Sequence, residues 1–222
     1  MSYYILPHIS KGLDVNSINL IFSNTPEITI GVTTSHYLTD IKKDIEEHLD
    51  VWDYYKKYTN TYEYIHTQIP GVKLSVSKHK PLSRSYFKFI EINSIFSLCE
   101  IIHPIKTFGI CEGPGGFIEA LVNIRDNPND VYYGMTLVND DENTPGWKKA
   151  QRFLKQNTNV YIETGHTRDG NILKIENYLH CAKYHENKFD IITGDGGFDF
   201  SQDFNNQENL CSKLIVAQAL YA

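Results

Sequence analysis

The chain has 222 residues, of which 41% are hydrophobic and 13% aromatic, which is enough for one sizeable core and excludes a globally disordered chain. Its formal net charge of −6 argues against a protein that coats nucleic acid over its whole surface. This charge does not exclude an enzyme that binds a few nucleotides in a local basic groove. Four widely spaced cysteines form no C-x-x-C pair, so we expect a reducing compartment rather than a zinc site or a disulfide framework. The sequence shows no signal peptide and no stretch that is long and apolar enough to span a membrane.

The N-terminal part of the chain is predicted to form a small α+β appendage over residues 1–62, which precedes a main domain over residues 63–222. Apolar residues that alternate with other residues predict a strand over residues 27–33. Apolar residues near helical spacing predict one charged amphipathic helix over residues 40–58.

The main domain alternates strands with helices. A helix is predicted over residues 83–98, strands over 107–111, 131–137, 159–163 and 189–194, and further helices over 116–124, 146–155, 171–184 and 209–221. This order is typical of βαβ units, so we expect an α/β fold with a parallel sheet flanked by helices. Ligands of such sheets bind at the carboxyl ends of the strands.

The strongest local signal is the glycine-rich loop CEGPGGF at residues 111–117, which joins an apolar strand to a helix. Glycines let the backbone approach a ligand closely, and Glu112 at the strand end can accept hydrogen bonds. The G-x-G-x-x-G spacing of a dinucleotide site is absent, Tyr133 stands where a ribose-binding acid is expected, and Pro114 lacks an N–H for a pyrophosphate. The loop therefore favours a ligand without a pyrophosphate, such as S-adenosylmethionine; a plain strand-to-helix turn is the alternative.

A second signal is the sequence DIITGDGGF at residues 190–198, an apolar strand that ends in Asp195 and two glycines. We expect Asp195 at the carboxyl edge of the sheet, beside the strand that carries the glycine loop. Because Asp-Gly is also a turn signal, the alternative interpretation is that Asp195 is a simple turn residue.

A third signal is a basic stretch over residues 65–89 that contains no acidic residue. Its cations are Lys73, Lys78, Lys80, Arg84 and Lys88. Lys88 follows Arg84 by one helical turn, so both can face the same side of the predicted helix. A solvated basic face is the alternative interpretation.

Together these elements resemble the FtsJ-like ribose 2′-O-methyltransferases, in particular the branch that modifies mRNA caps in eukaryotes and large DNA viruses. That branch has a glycine loop of the form x-G-P-G-G-F, a later strand that ends in A-D-G-G, and a helix that reads R-x-x-x-K before the first strand. Here these motifs stand at residues 112–117, 194–197 and 84–88. The resemblance implies a Rossmann-like methyltransferase fold, S-adenosyl-L-methionine as the cofactor, and RNA, specifically the capped 5′ end of mRNA, as the partner.

The resemblance also implies site residues. Asp195 and Lys88 match catalytic residues, and no metal is implied. The implied cofactor contacts are Ser83, Glu112, Gly113, Gly115, Gly116, Phe117, Asn171 and Ile172, although the family more often has an acid in place of Asn171. The implied substrate contact is Asn209. From the basic stretch itself we expect Lys73, Lys78, Lys80 and Arg84 to line the substrate groove as contacts to RNA phosphates.

One departure concerns a second lysine and a glutamate that the family carries on later strands, because this sequence ends at Ala222 inside the last predicted helix. We therefore expect a C-terminally truncated domain; an inactive relative, or a partner polypeptide that supplies the missing strands, stays open. Two other functions stay open as well, a non-catalytic RNA- or protein-binding module and a methyltransferase for a small molecule or a protein. The expected location is the cytoplasm, a viral factory or a virion, with the nucleus left open.

Overall fold

The computed structural model describes residues 31–138, 144–186, 188–197 and 207–222. Its centre is a sheet of four parallel strands in the order β3-β2-β1-β4. The strands are β1 (Lys106–Ile110), β2 (Val131–Met135), β3 (Val160–Glu163) and β4 (Ile191–Gly194). Four of the five residues of β1 are buried, as expected for a strand that helices cover on both faces. The predicted α/β fold with a parallel sheet is confirmed.

Helices cover both faces of this sheet. The α-helices of the described residues are α1 (Val32–Glu46), α2 (Leu49–Thr59), α3 (Ser85–Phe96), α4 (Gly116–Arg125), α5 (Gln151–Gln156), α6 (Ile175–His185) and α7 (Gln207–Tyr221), and those that cover the sheet belong to the unit Asp50–Ala222. On one face, Phe89 of α3, Ile118 of α4 and Tyr132 of β2 belong to one core cluster. On the other face, Cys181 of α6 and Leu214 of α7 belong to a second cluster. The site at the carboxyl edge therefore rests on a sheet that is packed on both sides.

The N-terminal predictions need correction. Residue 31 lies in a bend and residues 32 and 33 begin α1, so the predicted strand over residues 27–33 is wrong for its last three residues. Residues 27–30 lie outside the described part of the chain. The single helix over residues 40–58 is also wrong, because α1 ends at Glu46 and α2 begins at Leu49. No proline or glycine marks this break, so the apolar pattern could not reveal it.

The chain divides into two compact units, Met1–Leu49 and Asp50–Ala222. The predicted domain boundary at residues 62 and 63 stays a prediction. In the described residues, no helix combines the length and the apolar character that crossing a bilayer requires.

The helices predicted over residues 146–155 and 171–184 differ from the prediction in their first turns. The first turn of the helix predicted over residues 146–155 is a 3-10 helix, Trp147–Ala150, and α5 follows it. The helix predicted from residue 171 begins only at Ile175, because Oδ1 of Asn171 accepts the N–H of Leu173 at 2.9 Å. A side-chain amide that binds nearby backbone in this way forms a turn in competition with the helix.

The last strand and the last helix leave apolar surface uncovered. In the described chain, β4 pairs only with β1 and therefore stands at an edge of the sheet. Helix α7 buries Leu214, but Ile215, Val216 and Leu220 are more than half exposed. The idea that a further polypeptide covers this edge stays a prediction.

Candidate active site

Glu112 lies at the point where β1 leads into the glycine loop. Its Oε1 accepts the N–H groups of Phe117 at 2.9 Å and Ile118 at 3.2 Å, which belong to the first turn of α4. The side-chain oxygen of Glu112 thus satisfies two donors at a helix N-terminus that have no partner within the helix. Burial raises the pKa of Glu112 to about 8; the charge of Asp195 also raises this pKa, and the two backbone hydrogen bonds lower it. Glu112 therefore links the glycine loop to the electrostatics of Asp195.

The glycines of the loop are required by close contacts within the protein. A Cβ at Gly113 would meet the carbonyl oxygen of Pro145, and one at Gly116 would meet the hydroxyls of Ser83 and Ser85. Gly115 has a φ of 106°, and a Cβ there would lie 2.7 Å from the ring of Trp147. The predicted cofactor residues Ser83 and Gly116 are thus brought together, and the loop backbone runs without side chains at three positions.

A second loop, residues 165–171, reaches the same edge of the sheet at the end of β2. The N–H of Val138 donates to the carbonyl of Asp169 at 2.8 Å, and Gly170 lies against the carbonyl of Thr136. The methyl group of Thr136 in turn lies 2.9 Å from where a Cβ of Gly113 would stand. Thr136 therefore lies between the glycine loop and the loop that carries Asn171. The two loops thus form one contiguous edge at the carboxyl ends of β1 and β2.

Two predicted cofactor residues use their side chains in the core. Phe117 is 5% exposed and its ring lies 5.7 Å from that of Phe89. Ile172 is 6% exposed and packs in the cluster that contains Met135 and Cys181. Any cofactor contact of Phe117 or Ile172 would therefore come from the backbone.

Lys88 and Asp195 are brought together across the chain. Nζ of Lys88 donates to Oδ2 of Asp195 at 3.0 Å, so the structure brings these two predicted site residues into contact. The side chains are 52% and 33% exposed. An ion pair this exposed contributes little to stability, so folding alone does not explain it. The pair stands at the carboxyl edge, where β4 lies beside β1.

The predicted basic residues line one cavity of about 640 Å³. Its lining includes Lys73, Lys78, Lys80, Arg84, His66, His79 and Ser83. Arg84 stands just before the first turn of α3 and pairs with Glu63 at 3.4 Å, whereas Lys88 one turn later pairs with Asp195. Because Ser83 both lines the cavity and adjoins Gly116, the cavity borders the glycine loop.

The side chain of Asn209 lies outside the described part of the molecule, although its backbone belongs to the first turn of α7. Within the residues that the structure describes, no three His, Cys, Asp or Glu side chains are grouped to hold a metal ion.

Sequence reasoning missed two residues that shape this edge. Trp147 packs against Gly115 and Gly134 and is 9% exposed. Gln218 of α7 accepts the N–H of Gly196, which directly follows Asp195, at 3.0 Å. The signal for Gln218 was a single amide within the apolar run LIVAQALY, and its side chain is half-buried.

A parallel sheet with a glycine loop after β1 and an acidic turn after β4 defines a Rossmann-like protein whose site lies at the carboxyl edge. The chain belongs to the FtsJ-like methyltransferase family, whose model matches residues 81–222. The resemblance inferred from the glycine loop and the D-G-G turn is thereby confirmed.

Two curated relatives are cap enzymes by name. The "Cap-specific mRNA (nucleoside-2'-O-)-methyltransferase 1A" of Caenorhabditis briggsae is 29% identical over 118 residues, which cover 50% of this chain and 13% of that protein. The "Cap-specific mRNA (nucleoside-2'-O-)-methyltransferase 2" of Danio rerio is 24% identical over 199 residues, which cover 84% of this chain and 26% of that protein. The chain thus matches about a quarter or less of the length of these relatives.

Proposed function

We propose that the chain is an S-adenosylmethionine-dependent RNA ribose 2′-O-methyltransferase that acts at the mRNA cap. The observation that carries this proposal is the contact of 3.0 Å between Lys88 and Asp195 at the sheet edge that bears the glycine loop. Membership of the methyltransferase family and the two cap-specific relatives support the reaction and the substrate class.

The cofactor would lie along the glycine loop and the end of β2. Family membership supports S-adenosylmethionine, which supplies an electrophilic methyl group when bound. Backbone of Gly113, Gly115 and Gly116 and the turn at Asn171 would hold it, while Glu112 keeps the loop attached to α4. Trp147 packs against the glycine loop, because its ring fills the space beside Gly115.

The chemistry of the reacting oxygen falls to Lys88 and Asp195. Asp195 accepts a hydrogen bond from Nζ of Lys88 and so fixes the direction of the ammonium group. The remaining N–H groups of Lys88 can donate to a ribose 2′-oxygen and stabilise the negative charge that develops on it as the hydroxyl proton passes to water. Because this charge is greatest in the transition state, the contact favours catalysis more than binding.

The substrate would enter through the basic cavity. Lys73, Lys78, Lys80 and Arg84 line this cavity and suit phosphate groups of a short RNA segment. Local positive charge in a chain of net charge −6 favours a few defined phosphate contacts over binding along the whole surface. The cavity therefore favours RNA over a small-molecule or protein substrate.

The decisive experiment measures cofactor binding and methyl transfer separately. Lys88→Met should lower transfer to capped RNA by about 100-fold or more, the range for loss of a charge-stabilising catalytic group. Its affinity for S-adenosylmethionine in calorimetry should stay within about threefold, because the contact acts in the transition state. The control is Lys188→Met, since Lys188 is exposed and pairs with Glu186 instead.

A matched variant tests the cofactor loop. Gly115→Val should abolish S-adenosylmethionine binding, because Gly115 has a φ of 106° and a side chain there meets Trp147.

Wild-type transfer by Lys88→Met would overturn the catalytic assignment. A wild-type chain that binds the cofactor and RNA without transferring a methyl group would instead be a binding module.

A further inference from the structure

The turn that carries Asp195 is held by a side chain from the last helix. The Oε1 of Gln218 accepts the N–H of Gly196 at 3.0 Å, and its Nε2 donates to the carbonyls of Gly196 at 3.5 Å and Leu214 at 3.2 Å. One carboxamide thus contacts both backbone polar groups of Gly196 and ties them to the backbone of α7. An amide has both a donor and an acceptor, and only such a group makes all of these contacts.

Both glycines that flank Asp195 are packed against this side chain. A Cβ at Gly194 would lie 2.8 Å from Oε1 of Gln218, and a Cβ at Gly196 would lie 2.5 Å from Sγ of Cys111. Cys111 is the first residue after β1 and has a φ of 57°, so its position is tied to the start of the glycine loop. The turn is therefore enclosed between α7 on one side and the cofactor loop on the other.

This enclosure matters because the ion pair of Asp195 is too exposed to fix its own geometry. Lys88 and Asp195 are 52% and 33% exposed, and exposed pairs are weak and compete with water. Catalytic groups act efficiently only when packing and hydrogen bonds of neighbouring residues hold them near the productive geometry. The backbone of Asp195 must therefore be held by other contacts.

We propose that Gln218 is a positioning residue. Its hydrogen bonds to the backbone of Gly196 set the orientation of Asp195, and Asp195 in turn orients Lys88. The inference rests on the proposed methyl transfer for its kinetic consequence, although not for its geometry. It gives α7 a role in the site that neither the sequence motifs nor the family match assigns.

The test compares Gln218→Met, which keeps the length of the side chain but removes the amide, with Gln218→Glu, which keeps an acceptor for the N–H of Gly196. In Gln218→Met, hydrogen exchange at the Gly196 amide should accelerate by about tenfold or more, because its local opening loses a partner. The ¹³C signal of the Asp195 carboxyl group, assigned with Asp195→Asn, should shift as its contact with Lys88 loosens. Lys213→Met, an exposed position on the same helix, is the control.

The kinetic arm separates positioning from stability. In Gln218→Met, kcat should fall by about 10- to 100-fold, the cost of a misplacement on the order of 1 Å. KM for S-adenosylmethionine and the thermal midpoint should change little, since loss of kcat alone marks an interaction of the transition state. Gln218→Glu should restore part of the exchange protection and part of kcat.

Two results would overturn the proposal: unchanged Gly196 exchange and Asp195 signal in Gln218→Met, or unchanged kcat in that variant with an active wild type. If the wild type transfers no methyl group, the proposed function fails. The exchange and carboxyl measurements then still decide whether Gln218 positions Asp195.

Discussion

Glu112 shows how one residue serves both the fold and the site. Its carboxylate caps the first turn of α4, yet it is only 5% exposed, and burial raises its pKa to about 8. A neutral carboxyl group is thus favoured in the folded chain over a wide pH range. The charge of Asp195 also raises the pKa of Glu112, so the group that caps helix α4 is electrostatically coupled to the candidate catalytic residue.

Glu112→Gln should flatten the pH dependence of stability. An ordinary glutamate titrates near about 4.3, so between that pH and about 8 the folded state holds a proton that the unfolded state has released. The contribution is therefore complete below the unfolded pKa and is lost as pH rises, by up to about 1.4 kcal/mol per pH unit. Glutamine keeps the accepting oxygen and does not ionise, so this slope should vanish.

Urea unfolding at several pH values between about 5 and 8 measures the slope that the buried glutamate predicts. Glu176→Gln is the matched control, because Glu176 is exposed on α6. A slope in Glu112→Gln as steep as in the wild type would show that another group titrates.

At the scale of elements, Arg125 joins the end of α4 to its neighbours at the amino edge of the sheet. Its guanidinium is 6% exposed and donates to the carboxylate of Asp130 at 2.8 and 3.0 Å. It also donates to the carbonyls of Cys99, Ile101 and His103. Burial would raise the pKa of Asp130, but hydrogen bonds from Arg125, the N–H of Ile105 and Tyr132 hold it below its usual value. These hydrogen bonds therefore hold the segment that precedes β1 against the end of α4.

Arg125→Met should lower the free energy of unfolding by about 3–5 kcal/mol, because it leaves the carboxylate of Asp130 buried without its cation. The control Arg152→Met, an exposed position on α5, should change it by less than about 0.5 kcal/mol. Because the pKa of Asp130 is depressed, its contribution is present above the unfolded pKa and is lost as pH falls through the folded one. Equal midpoints in urea for the two variants would contradict the role of the network.

The sequence predicted the strands, because apolar runs mark β1 and β4, and it predicted Asp195 at the carboxyl edge, where parallel strands bring their ends together. The resemblance named Lys88, and the structure shows its contact with Asp195. It could not predict that Asn171 forms a turn and delays α6, since an asparagine suits either a turn or a helix surface. The hydrogen bond between Gln218 and Gly196 joins residues that are 22 positions apart in the sequence. Such contacts arise from packing, which periodicity does not encode.

At the scale of the whole molecule, charge is unevenly distributed. The net charge is −6, yet three lysines, an arginine and two histidines line one cavity beside the glycine loop. Glu63 and Glu119 approach this cluster, through Arg84 at 3.4 Å and His79 at 3.4 Å. Within the part of the chain that the structure describes, the three lysines of the cavity form no ion pair with a carboxylate. Such a distribution steers an anionic ligand towards one place and discourages binding elsewhere.

The double variant Lys78→Glu and Lys80→Glu should weaken the binding of capped RNA and flatten its salt dependence. Each phosphate contact that is lost lowers the slope of log K against log salt by about 0.7 for a single strand, so the two changes together should lower it by about 1.4. The matched control is Lys183→Glu with Lys188→Glu, two exposed lysines outside the cavity lining that change the net charge by the same amount. Fluorescence anisotropy over a range of salt concentrations measures both slopes. If the two double variants shift the slope equally, net charge rather than the cavity governs RNA binding; only a loss confined to Lys78 and Lys80 supports a defined path for the phosphates.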